Sequence, residues 1–164
     1  ICSVRITGLK GGHSGDEIDK GRANASYLMA SLLSGLFGIC DLRLISIEGG
    51  SKDNAITREC NALISIPADK VGEAEGYIKE IENGVRGEYH GADPDIRYIL
   101  SENGEGTPLT RESTLQVLRL LTSLPNGVIR MSDDIPGLVE TSLNLGILHT
   151  VEDELVLGYP SEAR

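Results

Sequence analysis

Residues 71–100, VGEAEGYIKEIENGVRGEYHGADPDIRYIL, decide the fold. Val71, Ala74, Tyr77, Ile78, Ile81 and Val85 fall on one side of a helical projection, with acids and Lys79 on the other. The pattern predicts an amphipathic helix to about Tyr89. Asp95 to Leu100 (DIRYIL) then reads as a strand.

Upstream, Leu42–Ile47 (LRLISI) and Ala62–Ile66 (ALISI) are β-rich runs separated by Gly49-Gly50 and a polar connector, so they read as neighbouring strands. From Asn24 to Phe37, Leu28, Leu32, Leu33 and Leu36 recur at helical spacing, and Gly38 is the stop signal. Ile1–Gly8 (ICSVRITG) is a partly alternating, β-branched strand that breaks at a glycine-rich turn. The order β-α-β-β-α-β is the ferredoxin-like plan, in which two helices cover one face of an antiparallel sheet. The expected class is therefore α+β, with this lobe over residues 1–104.

Downstream, a helix from Arg111 to Leu124 carries Leu115, Leu118, Leu121 and Thr122 and stops at Pro125-Asn126-Gly127. Val128–Met131, Leu138–Leu148 and Glu154–Gly158 read as strands. Residues 105–164 are thus expected to form a partial second α/β lobe with antiparallel strands. The chain starts almost inside one strand and stops just after another, so it is expected to be a segment of a longer protein.

Composition narrows the functional classes. With 164 residues, 40% hydrophobic and 24% charged, the chain has a globular make-up of one domain or two small lobes. Acidic residues outnumber basic ones 25 to 15, and the basic ones are scattered, which argues against nucleic acid as a partner. The apolar runs break well short of the ~20 residues that span a bilayer, and no basic-then-apolar leader opens the chain. The reading is a soluble, cytoplasmic protein with no membrane partner. Cys2, Cys40 and Cys60 are odd in number and unclustered, as buried free thiols are.

The loop Gly8-Leu9-Lys10-Gly11-Gly12-His13-Ser14-Gly15 is the most informative local feature, since its glycines allow backbone shapes that hold an imidazole at a strand edge. Taken alone, His13 is either a turn histidine bonded to its own loop or a ligand-binding group. Neither a Walker order nor a dinucleotide fingerprint occurs, so a phosphate cradle is not expected. His90 and His149 read as surface histidines, and Asp133-Asp134 and Glu152-Asp153-Glu154 as solvated acids. Ser14 and Ser142 lack a nucleophile elbow, and no ligand cluster for a metal is evident.

Five motifs then occur in order: the Gly8–Gly15 loop; Arg22-Ala23-Asn24-Ala25; Gly49-Gly50 followed by Asn54-Ala55-Ile56 and Arg58-Glu59; Asn126-Gly127-Val128-Ile129-Arg130; and Val139-Glu140-Thr141-Ser142-Leu143-Asn144. Together they resemble the lid and dimerisation domain of bacterial Xaa-His dipeptidases, the aminoacyl-histidine, carnosinase-like members of the two-zinc aminopeptidase and carboxypeptidase clan. The resemblance runs nearly end to end.

It implies a parent enzyme that hydrolyses Xaa-His dipeptides with zinc, whose ligands lie in a separate catalytic domain and not in this chain. It implies that His13 reaches from the lid to the substrate or its oxyanion, and that Asn54 lies in the same cleft. Thr57 stands where relatives carry proline. Clan members often carry Asp-x-Arg at the end of the next strand, but Ile64-Ser65-Ile66-Pro67 has no arginine; the resemblance implies instead that Arg164, which closes a strand where related dipeptidases carry an arginine, binds the substrate carboxylate. The partners expected are the dipeptide, the parent's own catalytic domain and a second copy in a homodimer; the chain alone should be inactive. The alternatives are a non-catalytic binding or dimerisation module, and the lid of an aminotripeptidase or carboxypeptidase.

Overall fold

A computed structural model describes residues 1–13, 21–50, 55–124, 127–136, 139–143, 146–151, 154–158 and 161–163. The strands are β1 (Cys2–Thr7), β2 (Gly12–His13), β3 (Arg43–Gly49), β4 (Ala55–Ile56), β5 (Cys60–Ser65), β6 (Arg97–Ser101), β7 (Gly127–Met131), β8 (Val139–Leu143), β9 (Ile147–Val151), β10 (Glu154–Gly158) and β11 (Ser161–Ala163). The helices are α1 (Ala25–Phe37), α2 (Val71–Glu88) and α3 (Arg111–Ser123).

A six-stranded antiparallel sheet in the order β10-β9-β3-β5-β1-β6 forms the centre. Its β3-β5-β1-β6 portion is the expected βαββαβ arrangement. Period-two alternation sets its faces: Cys2, Val4 and Ile6 of β1 and Cys60, Ala62 and Ile64 of β5 are buried beneath the helices, while Arg5 and Asn61 turn outward.

Helix α1 is buried on more than one side, because it packs against the sheet and also against α2 and α3. Met29, Leu32, Leu33 and Leu36 are fully enclosed, each worth about 1.5–3 kcal/mol of burial. Gly35 lets α2 come close, since a Cβ there would collide with the Tyr77 hydroxyl. Asn24 starts the helix as an N-cap, its Oδ1 accepting the N–H groups of Ser26 and Tyr27 at 3.0 and 3.2 Å. Helix α2 buries only Ala74 and Ile78 completely and is the outer member of the layer.

Residues 105–164 are distributed over several parts of this architecture. Helix α3 lies against α1 and is tied to β3, where the register shifts between Leu44 and Ser46. At that bulge the Leu44 N–H donates to Thr114 Oγ1 at 3.0 Å, and the Leu44 carbonyl accepts the Leu109 N–H at 2.8 Å. At the other end of β3, Glu48 and Gly49 pair with His149 and Leu148 of β9. Strands β9 and β10 extend the central sheet, whereas β7, β8 and β11 form a separate three-stranded sheet.

Three details differ from the sequence reading. Leu138–Leu148 is not one strand: β8 ends at Leu143, β9 begins at Ile147, and the two join different sheets. Between them the Gly146 carbonyl packs against Gly50. The pair β2–β4 arises in segments that read as turn and connector, because two residues are too few to show periodicity. His149 is half-buried in β9, opposite Glu48, and is not a freely exposed histidine. Among the described residues, no helix is long and apolar enough to cross a membrane.

Candidate functional site

The glycine-rich turn after β1 is shaped by what lies beneath it. Gly8 has φ of +85°, and a Cβ there would collide with the Asp95 carbonyl, so only glycine lets the chain leave β1 this close to the 93–96 turn. Farther on, the Lys10 N–H donates to Asp93 Oδ1 and the Ala23 N–H to Asp93 Oδ2, both at 2.7 Å. Arg22 Nη1 donates to the Gly11 carbonyl at 2.7 Å. Gly12 and His13 then pair with Ile56 and Ala55 as a short antiparallel ribbon.

Next to this ribbon a cleft of about 780 Å³ opens, lined among others by Gly8, Glu48, Gly50, Arg58, Glu59 and Asp95. Ala55 and Ile56 line it as well. Gly50, at φ +74°, forms its wall in contact with Gly146, where a Cβ would strike the Gly146 carbonyl. The Gly49-Gly50 step is therefore a packing requirement of the cleft as much as a turn. Thr57 is buried, and its carbonyl accepts the Ala25 N–H at 3.0 Å, which links the cleft wall to the start of α1.

Charge in the cleft is organised around Glu59. Arg5 Nη2 donates to its two oxygens at 3.0 and 3.1 Å, and Thr7 Oγ1 donates to Oε1 at 2.7 Å. The Thr7 hydrogen bond, helped by Arg5, holds the Glu59 carboxyl below the usual carboxylate range. Arg5 and Glu59 are each about half exposed, at 49%, so this ion pair orients the carboxylate more than it stabilises the fold.

Of the residues singled out in the sequence, the backbone of His13 stands opposite Ala55, next in sequence to Asn54. Asn54 itself and Arg164 lie outside the described residues. Asp93 and Thr7 did not stand out, and Glu59 was singled out only as part of the Arg58-Glu59 motif, with no role attached. Asp93 sits in Gly91-Ala92-Asp93-Pro94-Asp95, a turn-like string, and its bonding partners are 83 and 70 residues away in the chain. The cysteines are free, with Cys2 and Cys60 buried and Cys40 half-buried. Burial pushes the Cys60 thiol up to about 12, far from a reactive thiolate.

Among the described residues, no three His, Cys, Asp or Glu side chains gather in a way that could hold a metal ion. The described residues do not fit a zinc centre.

The family model for the peptidase dimerisation domain matches residues 4–93, more than half the chain. The chain belongs to the peptidase dimerisation domain family. The matched stretch of this dimerisation domain begins in β1 and ends at Asp93, so it takes in the glycine turn, the β2–β4 ribbon and both helices of the βαββαβ unit. The chain is 38% identical over 153 residues to the cytosol non-specific dipeptidase of Escherichia coli K12, covering 93% of this chain and 32% of that protein. Its backbone superposes on the crystal structure of aminoacylhistidine dipeptidase from Vibrio alginolyticus with a TM-score of 0.90, at 34% identity, covering 95% of this chain and 32% of that one. The chain thus spans about a third of the length of both relatives.

Proposed function

We propose that this dimerisation domain is the substrate-binding lid of a cytoplasmic zinc dipeptidase that hydrolyses Xaa-His dipeptides and works as a homodimer. The observation that carries this reading is the likeness to aminoacylhistidine dipeptidase over 95% of the chain. The zinc ions belong to the parent's catalytic domain, held by residues outside this chain.

The lid's own contribution is to bind and orient. His13 stands at the end of a ribbon whose partner strand lines the cleft, a suitable base for an imidazole that donates to the oxygen on which negative charge develops. Asn54 is assigned to the substrate in the same cleft and Arg164 to its carboxylate, which a guanidinium binds through two parallel hydrogen bonds. The 164-residue chain alone is expected to be inactive.

A second reading, a dipeptidase of broad specificity, is favoured by the likeness to a relative named as non-specific. To separate the two, kcat/KM of the purified full-length protein is measured on dipeptides that share an N-terminal residue and differ at the second. Xaa-His specificity requires a preference of about tenfold or more for C-terminal histidine. Equal rates across the panel favour the broad reading, and no hydrolysis of any dipeptide overturns both. In the same protein, His13→Ala should lower kcat/KM by about 10²- to 10³-fold, as loss of one oxyanion donor does. Its melting temperature should stay within a degree or two of wild type; normal turnover in this variant rejects the role given to His13.

A further inference from the structure

We propose that Asp93 is a positioning residue that clasps the backbone at Lys10 and Ala23, on either side of the Gly12–His13 strand, and so positions His13 for the role proposed above. The inference rests on the role proposed for His13.

Asp93 is fully buried, yet it makes no ion pair among the described residues. A carboxylate removed from water without a cation is costly, and it is retained where hydrogen bonds saturate it. Here they come from two backbone N–H groups at 2.7 Å, one on each oxygen, in the short range typical of charged acceptors. The donors are not neighbours in sequence. Lys10 precedes the Gly12–His13 strand and Ala23 precedes the N-cap of α1, so one rigid planar group ties together the backbone on either side of that strand.

The clasp is itself anchored. The Asp93 N–H donates to the Tyr89 carbonyl at 2.7 Å, at the end of α2. Pro94 restricts the backbone of the residue before it to extended shapes, and the Asp95 carbonyl lies directly under Gly8. Lys10 is exposed and lies outside any strand, so this bond is what holds its amide. A continuous path of contacts therefore leads from α2 through Asp93 to Lys10 and Ala23, and on to the ribbon in which His13 pairs with Ala55. An oxyanion donor has to be placed to within a fraction of an ångström, and a displacement of about 1 Å lowers rates by ~10²-fold.

Asp93→Asn keeps the volume but turns an NH2 group toward one of the two N–H donors. The test is a double-mutant cycle of D93N and H13A in the full-length protein, followed as kcat/KM on an Xaa-His dipeptide. Amide exchange of wild type is measured alongside it. D93N should lower kcat/KM by about 10- to 100-fold, and D93N/H13A should match H13A within about threefold, because a clasp has nothing to position once the imidazole is gone. In wild type, the Lys10 and Ala23 amides should exchange as slowly as those of β1, a measurement that decides even if D93N does not fold. Fast exchange at both amides overturns the clasp. So does a folded D93N at wild-type rate while H13A is impaired, or a D93N loss that multiplies that of H13A. If H13A alone runs at wild-type rate, the role of His13 falls first, and the purpose assigned to Asp93 falls with it.

Discussion

Replacing Thr114 by Val tests how α3 is attached to the sheet. Thr114 is fully buried, and its Oγ1 is the acceptor for the Leu44 N–H at 3.0 Å, at the point where the β3–β5 register shifts. Leu44 is also buried, at 1% exposure, so no water is at hand to replace the lost acceptor. Valine has nearly the same shape, and the substitution therefore isolates the cost of an unsatisfied buried N–H, about 1–3 kcal/mol. Against a total of roughly 5–15 kcal/mol for a domain, that is a large fraction. Urea unfolding followed by circular dichroism should show a lower midpoint at unchanged slope, and the melting temperature should fall by about 2–4 °C per kcal/mol for a chain of this size. Thr114→Ser, which keeps the hydroxyl and loses only the methyl, should fall less. If T114V unfolds like wild type while T114S is the weaker, α3 is held by packing of the methyl, and the hydrogen-bond argument is refuted.

Two further outcomes follow from the site and the core. Gly8→Ala should destabilise the chain by more than the ~1–2 kcal/mol of a left-handed alanine, because its Cβ meets the Asp95 backbone and not a movable side chain; a loss below 1 kcal/mol by denaturant titration would show that the turn yields freely. For Cys60, whose thiol burial pushes up to about 12, the folded state keeps a proton that the unfolded chain releases above about pH 9. This contribution is complete below that pH and shrinks as pH rises toward 12, at up to ~1.4 kcal/mol per pH unit. Unfolding titrations at stepped alkaline pH should therefore show a steeper decline for wild type than for Cys60→Ala, and equal slopes would contradict the burial argument.

The βαββαβ core was legible in the chain itself because its signals are local and repeated. Leu28, Leu32, Leu33 and Leu36 return at helical spacing, and Cys2, Val4 and Ile6 alternate along β1. Burial on one face must repeat with the period of the element, and that period survives in the linear order. Gly8-Leu9-Lys10-Gly11-Gly12-His13 was legible for a different reason: glycines mark backbone shapes that side chains forbid, whatever the rest of the fold does.

Tertiary structure alone decided which partners these segments meet. Nothing near Asp93 announces that its two oxygens would take the N–H groups of Lys10 and Ala23, and nothing near Thr114 announces that it would complete β3 at Leu44. Leu138–Leu148 is apolar enough to read as one strand, yet it divides between two sheets on either side of the Gly146 contact with Gly50. A single buried acceptor or a single close backbone approach has no period. It exists only where the packed elements bring distant residues together, so the helices and the glycine turn could be read from the sequence, while the contacts that hold the turn in place required the fold.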